Sequence, residues 1–159
     1  CDIVEHELET NQRVAVQNED FVALVPFAAR FPYEVHIYPR RHQYDFLVME
    51  EYEKWGFVDI LQDVLRRYFV LLGDKKTGWN VPYNMVLQTA PNTAPRPGRP
   101  DYWGTIEYDY HWHVEMIPRL TKMAGFEWGT GFYINVVLPE RAAGELRDVS
   151  VPAQPEQQS

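Results

Sequence analysis

His111, His113 and Glu115 occupy every second position of the run YDYHWHVEMIPR, Tyr108 to Arg119. Residues two apart in an extended strand project from one face. The three therefore point together, with Trp112, Val114 and Met116 turned the other way. Imidazole titrates near neutrality and serves as metal ligand, general acid or base, or nucleophile toward a phosphoanhydride. Two same-face histidines divide naturally, one ligating a metal and the other facing a pocket. The plainer alternative is a pair of strand histidines facing solvent or a carboxylate. Cys1, His42 and His111 offer one thiolate and two imidazoles, good ligands for a tetrahedral Zn²⁺. A structural site wants a fourth ligand, expected as a cysteine three residues before Cys1. Taken alone, three scattered ligands also fit an incidental cysteine with half-buried histidines bonded to the backbone. Arg40 and Arg41, just before His42, could receive phosphate oxygens or simply be solvated.

The elements that must position these groups are legible from periodicity. RVAVQ (Arg13 to Gln17), DFVALVP (Asp20 to Pro26) and EVHIYP (from Glu34) read as strands, and NMVLQT (Asn84 to Thr89) as another. From Met49 to Leu72 apolar residues recur every three to four positions, beginning with Trp55 and Val58, which predicts a long helix closed by Gly73. Pro91 to Pro100 reads as a surface loop. Ile106 to Ile117 reads as one long strand carrying the histidines, and Thr130 to Val137 as a further strand. Pro139 to Arg147 reads as a short helix with proline in its first turn. Strands grouped around one long helix imply an α+β domain with a mainly antiparallel sheet. The domain spans residues 1–148, and the polar, Pro-rich residues 149–159 form a disordered tail.

The 159 residues suit one domain. A net charge of −8 and a pI near 5.1 argue against a general nucleic-acid binder, while one local basic pocket still allows small phosphorylated ligands. No apolar run approaches a membrane span, and nothing reads as a signal peptide. The single cysteine excludes an internal disulfide framework and suits a reducing compartment. A chain opening on cysteine reads as a processed product or a piece of something longer.

Five segments occur in order: CDIVEHE from Cys1, VPFAARFPYEVHIYPRRH from Val25, YNMVLQTAP from Tyr83, HWHVEMIPRL from His111 and GFEWGTGFYIN from Gly125. Together they resemble the carboxy-terminal half of galactose-1-phosphate uridylyltransferase, with the ADP-glucose phosphorylase branch close by. Both belong to the histidine-triad superfamily, whose H-x-H-x-H strand HWHVE echoes. The resemblance implies a histidine-triad-like fold and a cytoplasmic nucleotidyltransferase of galactose metabolism, moving UMP between UDP-glucose or a related nucleotide sugar and a hexose 1-phosphate. It implies a partner amino-terminal half carrying the nucleophilic histidine in a His-Pro-His motif, and a homodimer. Cys1, His42 and His111 match three ligands of a structural zinc site, in which iron could replace zinc. In other members, histidines matching His111 and His113 serve a second metal site together with a histidine that falls at Gln88. His113 occupies the superfamily nucleophile's place, and Glu115 replaces the third histidine. EWGTGFYIN matches the part that closes over the sugar, so Trp128, Thr130, Phe132, Tyr133 and Asn135 are expected sugar contacts, and Asn84 and Gln88 share one face as polar candidates. Three alternatives stay open: an ADP-glucose phosphorylase-type adenylyltransferase, a stand-alone histidine-triad nucleotide hydrolase using His113, and a non-catalytic metal-stabilised binding module. For Glu115, pairing with Arg119 or Arg40 is expected if it has no role.

Overall fold

The computed structural model describes residues 1–74, 76–78, 80–94, 97–98 and 103–151. Helix α1 (Asp2–Thr10) leads into strands β1 (Val14–Gln17), β2 (Phe21–Leu24) and β3 (Val35–Pro39). A short 3₁₀ turn (Phe46–Val48) precedes the long helix α2 (Glu51–Leu72). Strand β4 (Tyr83–Gln88), the single-turn helix α3 (Ile106–Asp109), β5 (His113–Pro118), α4 (Gly125–Thr130) and α5 (Pro139–Asp148) complete the chain. The five strands form one antiparallel sheet in the order β1-β2-β3-β5-β4. The architecture is α+β, as the alternation predicts.

Strand alternation gives the sheet two unlike faces. On one side Phe21, Ala23, Val35, Ile37, Val114 and Met116 meet Ile60, Val64 and Tyr68 of α2 and Ala142, Ala143 and Leu146 of α5 in a single core. Trp112, fully buried, closes that core against Phe21, Phe46 and Phe57. The helix begins two residues later than its pattern predicts, at a capping box in which Glu53 reaches back to the Glu50 N–H. Trp55 lies outside the core, 70% exposed, so the helical period holds while the buried stripe starts a turn later.

On the opposite face Val22 packs with Val14 of β1 and Val4 of α1, with Leu8 and Tyr38 beside them. Helix α1 escapes the sequence reading because its buried stripe is short, Val4 and Leu8, and its buried Glu7 looks like a surface residue. Glu7 is paired with the buried Arg13 guanidinium, which also reaches Glu140 at 2.8 Å and so ties α1 to α5.

Two expected strands are corrected. The long strand over Ile106–Ile117 is instead one helical turn followed by an extended approach, and sheet pairing begins only at His113. Its first residues have no partner to pair with, because β4 runs out opposite His113 and β3 opposite Val114. The expected strand Thr130–Val137 is also absent. Gly125–Thr130 closes a helical turn capped by Gly131 in the left-handed region (φ 74°), and the chain then runs to α5 without joining the sheet. The Pro91–Pro100 loop and the 149–159 tail fall partly outside the described residues. No helix among the described residues is long and apolar enough to cross a membrane.

Candidate functional site

Cys1 is the N-cap of α1, His42 follows β3, and His111 precedes β5. The fold brings these separated residues together. The Cys1 Sγ lies 3.0 Å from His42 Nδ1 and 3.9 Å from His111 Nδ1. The two rings stand 5.2 Å apart, and the three donor atoms lie within 4.8 Å of one another. Zinc–sulfur and zinc–nitrogen bonds in a tetrahedron set such donors roughly 3.5 Å apart, so the cluster has the dimensions of a metal site.

The imidazoles are set for the task. His42 Nε2 lies 2.8 Å from the Glu107 carbonyl oxygen, which can only accept, so Nε2 carries the proton and the Nδ1 lone pair faces the sulfur. His111 is pushed down to about 4 by burial and by the neighbouring His42, so it is neutral at physiological pH, the form a metal requires. Its Nε2 is buried and finds no hydrogen-bond partner among the described residues. Three donors leave one tetrahedral position to be filled.

A buried polar chain, which the sequence reading missed, fixes both ligand segments. Trp112 Nε1 donates to Gln43 Oε1 at 3.0 Å, and the Trp112 N–H donates to the Gln43 carbonyl at 3.0 Å. Gln43 Nε2 donates to Glu53 Oε1 at 2.7 Å, and Arg41 spans the Glu53 carboxylate at 3.0 and 2.8 Å. His42 and His111 thus each have a neighbour in sequence tied to α2, Gln43 directly and Trp112 through Gln43. Arg41 is committed to Glu53, and Arg40 donates to the Asn18 carbonyl at 3.1 Å, so both hold the fold.

His113 lies on the same sheet face, beside the near-parallel rings of Tyr38 (4.8 Å, 27°) and His36 (5.4 Å, 26°) of β3, which are themselves 6.1 Å apart. Its Nδ1 donates to the His111 carbonyl at 3.1 Å, which leaves Nε2 as the lone-pair nitrogen, 3.8 Å from Glu115 Oε1. Burial, outweighing the hydrogen bond and Glu115, lowers its pKa. Glu115 pairs with neither Arg40 nor Arg119; its Oε2 takes the Arg30 guanidinium at 2.7 Å, because the β2–β3 connection folds back over this face. Gln88 sits opposite His113 in the register and reaches Glu115 Oε1 at 3.5 Å. Asn84 shares that face but lies opposite Ile117, two pleats away.

The 125–138 segment is largely solvent-facing. Trp128 is 76% and Phe132 71% exposed. Tyr133 packs edge-on to Phe31 at 5.3 Å, and the Thr130 hydroxyl donates to the Phe126 carbonyl at 2.8 Å. Asn135 is already engaged: its Nδ2 donates to the Ala29 and Phe31 carbonyls at 3.1 and 3.3 Å, and its Oδ1 accepts from the Val137 N–H.

Residues 1–152 match the family model for the galactose-1-phosphate uridyl transferase C-terminal domain. The chain is 38% identical over 157 residues to galactose-1-phosphate uridylyltransferase of Thermotoga maritima, covering 95% of this chain and 44% of that protein. It is 31% identical over 145 residues to ADP-glucose phosphorylase of Arabidopsis thaliana, covering 91% and 37%. The crystal structure of the Arabidopsis ADP-glucose phosphorylase with bound ADP-glucose superposes with a TM-score of 0.77 at 29% identity, over 94% of this chain and 46% of that one. A zinc-bound histidine-triad protein of Mycobacterium smegmatis shares the fold at 13% identity, with a TM-score of 0.57 over 92% and 90%. The chain therefore spans less than half the length of the uridylyltransferase and phosphorylase relatives it matches.

Proposed function

From a chain that belongs to the galactose-1-phosphate uridyl transferase C-terminal domain family, we infer a nucleotidyltransferase that moves UMP between a nucleotide sugar and a hexose 1-phosphate. In this reading the chain is the carboxy-terminal half of a cytoplasmic enzyme of galactose metabolism that works as a homodimer. The covalent step belongs to the amino-terminal half, and this half supplies a metal-tied scaffold and part of the sugar pocket. The converging Cys1, His42 and His111 donors, with the His42 tautomer already fixed, are the observation that best supports the scaffold role. Zinc suits this sulfur and nitrogen donor set better than iron, and when bound it would cross-link α1, the end of β3 and the approach to β5.

The residues divide the work. Cys1, His42 and His111 would hold the metal, and Gln43, Glu53 and Trp112 keep the last two in place. Gln88 and His113 line the polar sheet face, where their hydrogen-bonding groups can orient a polar ligand. Trp128, Thr130, Phe132 and Tyr133 lie on the exposed segment that would close over the sugar, and Asn135 anchors it to residues 29–31.

The test is turnover by the intact protein given UDP-glucose and galactose 1-phosphate. Exchange of the uridylyl group, with ping-pong kinetics, is the expected result. Turnover confined to ADP-glucose and phosphate would move the protein to the phosphorylase branch, which its 31% identity to the Arabidopsis enzyme supports as the second reading. No turnover with either pair would leave a metal-stabilised binding module.

A further inference from the structure

A second group of metal-ligating side chains lies on the same sheet face: Glu34, His36 and Glu115, with donor atoms within 4.8 Å of one another. The Glu34 side chain is 2% exposed, His36 12% and Glu115 14%. Two carboxylates cannot share such a volume without a cation, because burial removes the water that would otherwise screen them. The cation belongs to the chain itself. Arg30 Nη2 bridges the pair, 2.7 Å from Glu115 Oε2 and 3.2 Å from Glu34 Oε1. The other Glu34 oxygen accepts the backbone N–H groups of Arg30 and Phe31 at 2.8 and 3.1 Å, so the loop carrying the guanidinium is tied to the carboxylate it neutralises. His36 Nε2 donates to Glu34 Oε1 at 3.0 Å, and its Nδ1 lies 3.3 Å from the Tyr38 hydroxyl.

We propose that Glu34, His36 and Glu115 form a divalent-cation site that the Arg30 guanidinium keeps closed, so that removing the guanidinium opens it to a first-row metal ion. Without Arg30, Glu34 Oε1 and Glu115 Oε2 lose their shared cation. The His36 proton then moves from Nε2 to Nδ1, where the Tyr38 oxygen can accept it, and the Nε2 lone pair completes a two-oxygen, one-nitrogen donor set. That set is harder than the sulfur-containing cluster and suits Mn²⁺. In the unmodified protein a guanidinium, which cannot lose its charge at physiological pH, holds Glu115 fixed beside Gln88 and His113. This inference is independent of the activity proposed above.

The experiment is a Mn²⁺ titration of the intact protein with zinc already bound, free Mn²⁺ being read by electron paramagnetic resonance. Arg30→Ala should bind one equivalent of Mn²⁺ more than the unmodified protein, with at least a tenfold difference in affinity. Arg30→Ala combined with His36→Leu should lose that equivalent, and Arg30→Lys should stay closed. A folded Arg30→Ala protein with unchanged zinc content and no added Mn²⁺ site would overturn the proposal. The unmodified protein is a separate arm that does not depend on the variant folding. A tight Mn²⁺ site there, abolished by Glu115→Gln, would show that the guanidinium closes nothing.

Discussion

Glu53→Ala is the substitution that best separates positioning from bulk packing around the cysteine–histidine cluster. The Glu53 carboxylate is 3% exposed and accepts from Arg41 twice, from Gln43 Nε2 and from the Glu50 N–H. Arg41 is half exposed, so losing its partner costs only about 0.5–1 kcal/mol. Gln43 is buried, and stranding its amide donor costs about 1–3 kcal/mol. The lost capping box adds about 1 kcal/mol. Together these amount to about 4 kcal/mol, which lowers the melting temperature of a chain this size by about 8–15 °C. Gln43 also holds Trp112 beside His111, so metal affinity should fall about 10–100-fold, as it does when outer-shell partners of metal ligands are removed. The assay pairs thermal unfolding with Co²⁺ binding, where the sulfur-to-cobalt charge-transfer band reports ligation by Cys1. There is also a pH signature. Hydrogen bonding from Arg41 lowers the Glu53 pKa below its ordinary 4.5, so its stabilisation is present above about 4.5 and is lost as pH falls below that value. The gap between variant and unmodified protein should therefore shrink in acid. A melting temperature within about 2 °C of the unmodified protein, together with unchanged Co²⁺ affinity, would refute the reasoning.

Trp112→Phe keeps most of the buried ring and removes the Nε1 donor to Gln43, so it should cost about 1–3 kcal/mol in chemical denaturation and weaken Co²⁺ binding more than a core substitution remote from the cluster, such as Ile60→Val. Gly131→Ala places a Cβ on a left-handed residue with open space around it, so only backbone strain of about 1–2 kcal/mol is expected, read as a lower denaturation midpoint. Asn135→Ala removes the amide that ties the 131–138 segment to the Ala29 and Phe31 carbonyls, and faster hydrogen exchange confined to that segment and residues 29–34 should follow.

Local periodicity was enough for β1 to β3, the His113–Pro118 part of β5, α2 and α5, since each carries its buried stripe within a few consecutive residues, while β4 was legible from its residue types although its side chains are largely exposed. Helix α1 was hidden because an ion pair, Glu7 with Arg13, takes the place of an apolar contact on its inner face. The strand expected at Thr130–Val137 failed for a different reason: Phe132, Tyr133, Ile134 and Val136 are exposed, and the segment joins no strand of the sheet. The same contrast holds at the site. His111 and His113 are two apart in sequence, so their shared face was legible. His36, Glu34 and Arg30 come beside them through cross-strand register, His36 opposite Glu115, and through a loop that folds back, neither of which local spacing encodes. A run of alternating residues in EVHIYP with a histidine and a tyrosine on one face was the only available hint.

The surroundings of His113 argue against nucleotide hydrolysis by this chain alone. A nucleophilic imidazole must present its lone pair to phosphorus in the plane of the ring, at roughly 3–3.5 Å. Here Tyr38 and His36 crowd the ring from the β3 side, and Nδ1 is spent on the His111 carbonyl. The free Nε2 looks toward Glu115 Oε1, 3.8 Å away, so an arriving phosphate would meet a carboxylate first. Arg30 offsets part of that charge from the far side but is itself engaged by Glu34 and Glu115. A stand-alone hydrolase would need Glu115 to swing away, breaking the 2.7 Å Arg30 contact. The expected outcome is that the 159-residue chain, loaded with zinc, leaves a nucleoside phosphoramidate intact in a fluorogenic hydrolysis assay. Hydrolysis that disappears on His113→Ala would mean that Nε2 does reach phosphorus and that the Glu115–Arg30 pair opens in solution.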